Sequence, residues 1–163
     1  MTWCEQFGWF ETYDRLEQTW IGVAIRESLW LFPGIEAVHL LGLAMIGGSI
    51  LVVDLRLLGV GLTRLTTGQV LATARPWFIG ALILMFLTGV PLFLSEAVKC
   101  CFNDSFEVKM VALATGIVFT FAVRNRVAAW NDAPAWVARV VAVVSLAVWF
   151  TVAAAGRWIG FSG

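Results

Sequence analysis

Charge is what this chain has least of. Eleven Lys and Arg and eleven Asp and Glu make up 13% of its 163 residues, about half the share a soluble domain carries. The two signs cancel, so neither nucleic acid nor an acidic partner is implied. Histidine is scarcer still: His39 is the only one. There is no P-loop, no nucleophile elbow and no second His to act as a base, so hydrolytic and phosphoryl-transfer chemistry find no support. The three cysteines are an odd number, so one stays free or bridges to another chain. Residues 1–27 lack a basic start and a long apolar core and carry Glu5, Glu11, Asp14, Glu17 and Glu27. They do not read as a cleaved signal, and no lipidation motif is visible.

Apolar residues fill the space that charge leaves. They make up 60% of the chain, with nine Trp and twelve Phe. Aromatic rings in such numbers gather at membrane interfaces. The length suits one domain, 1–163. Four apolar stretches approach the ~20 residues that a hydrocarbon core requires. They run about 33–53 (continuing as helix to 58), 76–97, 106–123 and 134–156. Short links between them predict antiparallel neighbours, hence an all-α, up-down-up-down four-helix bundle in a bilayer. Trp3, Phe7 and Phe10 share one helical face, so 1–27 reads as one or two short interfacial helices. Ser28 suits an N-cap and Pro33 a first turn. Pro91 predicts a kink near the end of the second span.

Lys and Arg near the span ends set orientation. Arg56, Arg64 and Arg75 flank the first link, and Arg124, Arg126 and Arg139 the third. Arg15, Arg26, Lys99, Lys109 and Arg157 lie on the opposite side with most of the acids. This bias places both termini outside the cytoplasm. Glu36, His39, Glu96, Lys109 and all three cysteines then stack at the outer end. Asp54, Arg56, Arg75, Arg124 and Asn125 gather at the inner end. Adjacent Cys100 and Cys101 pair with each other only under strain, so one of them is expected to bond Cys4; a thiolate metal site is the rival.

The first span carries the costly residues. Glu36 and His39 form E-x-x-H, which sets both side chains on one helical face. An ionisable group at membrane depth is a candidate site by default. With Glu96 as a further carboxylate, and with a second copy in a dimer, this pair could hold iron, zinc or copper. Alternatively His39 is an axial haem ligand. Gly42, one turn on, would then let a flat ring approach the backbone. Met85 or Met110 would supply the second axial atom, or a symmetric dimer would share one haem between two copies of His39. In a third reading Glu36, His39 and Lys109 form a buried polar network in a non-catalytic accessory subunit. Asp54 is expected to pair across the bundle with Arg75 or Arg124.

The stretch H-L-L-G-L-A-M-I-G-G-S-I-L-V-V-D-L-R from His39 resembles the first core helix of the copper-resistance-D and HemJ-like superfamily. F-E-V-K-M-V-A-L-A-T-G-I-V-F-T-F-A from Phe106 resembles its Lys-bearing helix. Residues 28–156 also resemble an uncharacterised bacterial membrane family with the pattern E-S-x-W-L-F-P…E-x-x-H-x-L-G…D-L-R-L-L-G. The resemblance implies a four-helix bundle in the bacterial inner membrane. In the HemJ-like branch it implies haem b; one-electron transfer by such a group would call for a membrane redox partner or a homo-oligomer. His39 would be the axial ligand, with Lys109, and more loosely Arg75, meeting porphyrin carboxylates. In the copper branch it implies copper passage or storage. Arg124 and Asn125 stand where some relatives end the third helix with His, and no Met-rich or His-rich loop is present.

Overall fold

The computed structural model describes residues 2–130 and 132–160, which are helical almost throughout. Three short helices come first: α1 (Trp3–Phe7), α2 (Phe10–Glu17) and α3 (Trp20–Glu27). The expected amphipathic face over Trp3, Phe7 and Phe10 is broken. Gly8, in the left-handed conformation at φ 66°, ends α1 and turns the chain, a geometry that glycine adopts without strain.

Two long helices follow, α4 (Leu31–Leu58) and α5 (Thr67–Ser95). Ser28 Oγ accepts from the backbone N–H groups of Trp30 and Leu31 at 3.4 and 3.2 Å, so it caps α4 from just before its start. Helix α5 begins nine residues before the expected Pro76. Thr66 and Gln69 close a reciprocal capping box there, leaving Pro76 and Pro91 inside the helix. After the short α6 (Ala97–Cys101) comes α7 (Asp104–Phe119), capped by the Asn103 side chain. A π-turn, Thr120–Arg124, joins it to α8 (Asn125–Ala129). The third span therefore runs on to Ala129, six residues past the expected end. The last helix is α9 (Ala135–Ile159).

The four spans hold 28, 29, 26 and 25 residues. At 1.5 Å per residue they are about 37 to 44 Å long, enough to cross a ~30 Å hydrocarbon core and enter both headgroup layers. The chain is a multi-pass four-helix membrane bundle. α4 packs on α5 and α9, and α7 packs on α9. α5 meets the third span at α8 but does not pack closely along α7. The bundle is thus closed on three edges and open along part of the fourth.

One end of the bundle is capped. α3 lies against α5, and α2 against α6. The Glu17 carboxylate accepts from Arg26 at 2.8 Å and from the Val98 backbone N–H at 2.7 Å. Gly22 lets α3 touch α5: a Cβ there would stand 2.6 Å from the Leu94 carbonyl oxygen. Cys4 is disulfide-bonded to Cys101, with Cα atoms 5.3 Å apart. The 1–27 segment is therefore a docked cap of three short helices, where one or two were expected. Trp20, Leu29 and Trp30 stay exposed, and exposed indole rings suit a headgroup layer.

At the other end, the loop end, Val53, Leu57, Val70, Ala74, Ala128 and Ala142 form a tight cluster. Beside it the Arg124 Nε donates to Asp54 Oδ1 at 2.6 Å, and its Nη2 donates to the Ile50 carbonyl at 3.2 Å. Both side chains are fully buried. Of the two expected partners Asp54 takes Arg124, while Arg75 is exposed. Ser145, also fully buried, brings its hydroxyl beside the Asp54 carboxylate. Removing one member of a buried ion pair costs about 3–5 kcal/mol. Arg124→Met is therefore expected to unfold in denaturant well before the parent protein. Asp54→Asn with Arg124→Met should recover most of the loss. Denaturant midpoints in detergent micelles measure both.

Candidate functional site

Between the cap and the mid-bundle core lies a cavity of about 390 Å³. Its walls come from all four spans: His39 and Leu43 on α4, Met85 and Gly89 on α5, Lys109 and Met110 on α7, Val152 on α9. Trp149 forms the floor. Its Nε1 donates to Thr120 Oγ1 at 3.0 Å, and its ring meets Phe78 edge-on at 5.5 Å. Trp3, Trp9 and Tyr13 from the cap form the roof. Apart from His39, Lys109, Tyr13 and the indole N–H groups, the lining is apolar.

The orientation of His39 follows from a neighbour. The Thr88 hydroxyl donates to the Leu84 carbonyl at 2.7 Å, the usual bond of a helical threonine to the turn before it. It has only one hydrogen, so towards His39 Nδ1, 2.8 Å away, it can only accept. Nδ1 therefore carries the proton, and Nε2 is left with a bare lone pair. Gly89 makes room for the ring: a Cβ there would stand 3.2 Å from His39 Cε1. An imidazole whose far nitrogen is fixed by a hydrogen bond is the arrangement that metal-ligating histidines use.

Lys109 is the second polar feature. Its stem lies across Gly156, whose missing side chain gives it space, with Nζ 3.7 Å from where a Cβ would be. Among the described residues no carboxylate lies within ion-pair distance of it. A cation against an apolar cavity with no acidic partner is an open position for an anion.

The remaining candidates separate. Met85 and Met110 line the cavity with His39. Gly42 is buried, but Met85 fills the space above it, with Cγ and Sδ 3.2 Å from where a Cβ would be. It serves helix packing and does not admit a ring. Arg75 lies thirteen residues before Thr88 on α5, about 20 Å along the helix, at the loop end beside Arg124 and Asn125. It cannot meet a group bound at His39. Glu36 is exposed and Glu96 half-buried, and neither lines the cavity. Among the described residues no three His, Cys, Asp or Glu side chains gather as metal ligands, so the Glu36, His39 and Glu96 set is not assembled within one chain. The buried network of Glu36, His39 and Lys109 is likewise absent. Thr88 and Gly89, which present His39, were not singled out from sequence. A Thr–Gly pair in an apolar helix is a faint signal, informative only once α5 is known to face α4.

Cys100 is the free cysteine among the described residues and is buried. Burial, and then the nearby Glu96 carboxylate, push its thiol up to about 11.

Residues 10–162 match a family of unknown function, DUF6644, and the chain belongs to that family. No curated protein and no solved structure matches it.

Two outcomes follow for this site. In ¹⁵N imidazole spectra His39 should show a protonated Nδ1 and a bare Nε2. Thr88→Val should lose that preference and Thr88→Ser should keep it. Cys100 stays protonated up to about pH 11, so iodoacetamide at pH 8 should leave the folded protein unlabelled and should label one thiol after unfolding without reductant.

Proposed function

We propose that this protein binds haem b or a related porphyrin in its membrane-embedded cavity, with His39 Nε2 as the axial ligand. The observation that carries the reading is the pairing of a bare imidazole nitrogen with an unpartnered lysine across one apolar cavity. Haem held in this way supplies one-electron transfer. The protein's own share is positional. Thr88 and Gly89 fix the imidazole. Met85 and Met110, in the same cavity, would offer soft donors to the group. Lys109 would meet an acidic group of the ligand. The aromatic roof and floor exclude water and keep the local dielectric low, which strengthens the lysine's attraction for an acid. The cavity is open on its α5–α7 side, so the ring is not confined to the enclosed volume.

The Cys4–Cys101 disulfide supports placing the capped end in an oxidising compartment. That agrees with the basic residues at the loop end and with a bacterial inner-membrane protein whose cap faces the periplasm. A membrane redox partner would then approach from the capped side. Met85 and Met110 line the same cavity, which supports a site completed within one chain. A dimer sharing one haem between two copies of His39 is the alternative, and it differs in stoichiometry.

Purified protein is expected to show a Soret band, with one haem per chain for the methionine-completed site and one per two chains for the shared one. His39→Ala should abolish the band. Losing a charge-assisted hydrogen bond of about 1.5–3 kcal/mol, Lys109→Gln should retain haem about 10- to 100-fold less well. A colourless preparation that takes up no haem or porphyrin overturns the reading.

A further inference from the structure

A cavity inside a membrane bundle fills from water through its roof or from lipid through its side, and the packing of its walls decides which. Here the roof is tied down. Cys4 is bonded to Cys101, and the Trp3 backbone N–H donates to the Glu107 carboxylate. Tyr13 meets Phe93 edge-on at 5.7 Å, and Phe93 stacks on Phe106 at 5.5 Å with the rings 13° apart. These rings join the cap, α5 and α7 into one aromatic layer over the cavity. Three of the four side walls are packed helix pairs. The fourth is the α5–α7 edge, where the helices do not pack closely. Phe86, Val90 and Met110 stand along that edge. They line the cavity and yet are 54%, 53% and 41% exposed. A side chain that borders both an interior cavity and the outer surface marks the mouth between them.

We propose that the cavity opens sideways between α5 and α7, and that its ligand is taken from the acyl-chain region of the leaflet rather than from water. In ligand class this rests on the haem reading: the molecule has a flat apolar body and an acidic group. Lys109 lies five residues into α7, about 8 Å below the start of the helix. That is near the depth at which the acid of a membrane-borne amphiphile sits. Such a ligand can move sideways past Phe86, Val90 and Met110 with its acid already level with the lysine.

The route can be tested without any ligand. In a Cys100→Ala background, Leu113→Cys places a single thiol on the cavity wall, and the protein is reconstituted in phosphatidylcholine vesicles. Pyrene maleimide dissolved in the lipid is expected to label it, and a sulfonated maleimide in water is not. Val90→Trp with Met110→Trp, both at exposed positions that leave the core packing alone, should slow the lipid-borne labelling at least about tenfold, a barrier increase of roughly 1.4 kcal/mol. Cys4→Ala with Cys101→Ala should leave it unchanged. Equal labelling by the aqueous reagent overturns the proposal. So does a lipid-borne rate that ignores the tryptophan pair or that rises when the disulfide is removed. Haem offered to the parent protein in vesicles of the same lipid and followed by its Soret band tests the ligand separately. Labelling as expected with no haem uptake keeps the side entrance and overturns the haem reading.

Discussion

The buried pair between Arg124 and Asp54 is the constraint on which the shape of the bundle depends. Two charges with almost no exposure, 2.6 Å apart, are stable at membrane depth only while they face each other. Arg124 reaches inward from the end of the π-turn, and π-turns are frequent at functional sites in helices. Its Nη2 also takes the Ile50 carbonyl, so it grips α4 twice. With the α4–α8 distance fixed, the small residues Ala74, Ala128 and Ala142 can close the loop end tightly. Arg56 adds to this by donating to the Leu65 carbonyl at 2.7 Å, which holds the α4–α5 link. Four helices pinned at one end are free to diverge at the other, and the α5–α7 edge is where they do.

The two ends treat their polar groups in opposite ways. At the loop end charge is neutralised inside the protein, and the neighbouring cavity of about 10 Å³ has room for at most one water. At the capped end His39 and Lys109 face about 390 Å³ of apolar space, and neither has an acidic partner among the described residues. Burying polar groups unpaired is costly, and a chain that satisfies its charges at one end has the means to do so at the other. The contrast is therefore better explained by a partner that comes from outside the chain. The cap has the same logic. A disulfide, a shared carboxylate on Glu17 and a layer of stacked rings are more than three short helices need to lie on a membrane surface, but they suit a closed roof.

Much of this was legible in the sequence, and the reasons are physical. Span number and antiparallel order follow from apolar run length, which the bilayer enforces directly. That Asp54 would pair across the bundle, with Arg75 or Arg124, followed from the rule that buried charges find each other, and the structure selects Arg124. The bond from Cys4 to one of the adjacent cysteines followed from the strain of a vicinal bridge. What escaped were features that depend on which helix faces which. Pro76 looked like a helix start because proline favours first turns, yet T-T-G-Q, the capping box that begins α5, stood in plain view nine residues earlier. Gly42 looked like access for a ring, but Met85 reaches across from α5 to fill it. Arg75 looked like a carboxylate partner, but helix length carries it to the wrong end. Glu36 shares a helical face with His39 in principle. A three-residue spacing still leaves the two side chains about 60° apart around the helix, and the α4 face that meets α5 includes His39 and leaves Glu36 exposed.

That last separation bears on the single histidine. When Glu36, His39 and Glu96 are treated as one cluster, one copy of each is too few for a metal centre, and a second chain has to be invoked. Once Glu36 turns away from the cavity, the cluster no longer sets the coordination problem. The groups that remain beside His39 are two thioethers and an ammonium. Thioether with imidazole is a known axial pair for haem. It offers nothing to a hard cation, for which carboxylate, carbonyl or water oxygens are needed. The lysine argues the same way, since a bare cation is repelled by the ammonium whereas the carboxylates of a porphyrin are drawn to it. On the proposed reading, the lone histidine would receive a ligand that brings its own metal together with its own acids.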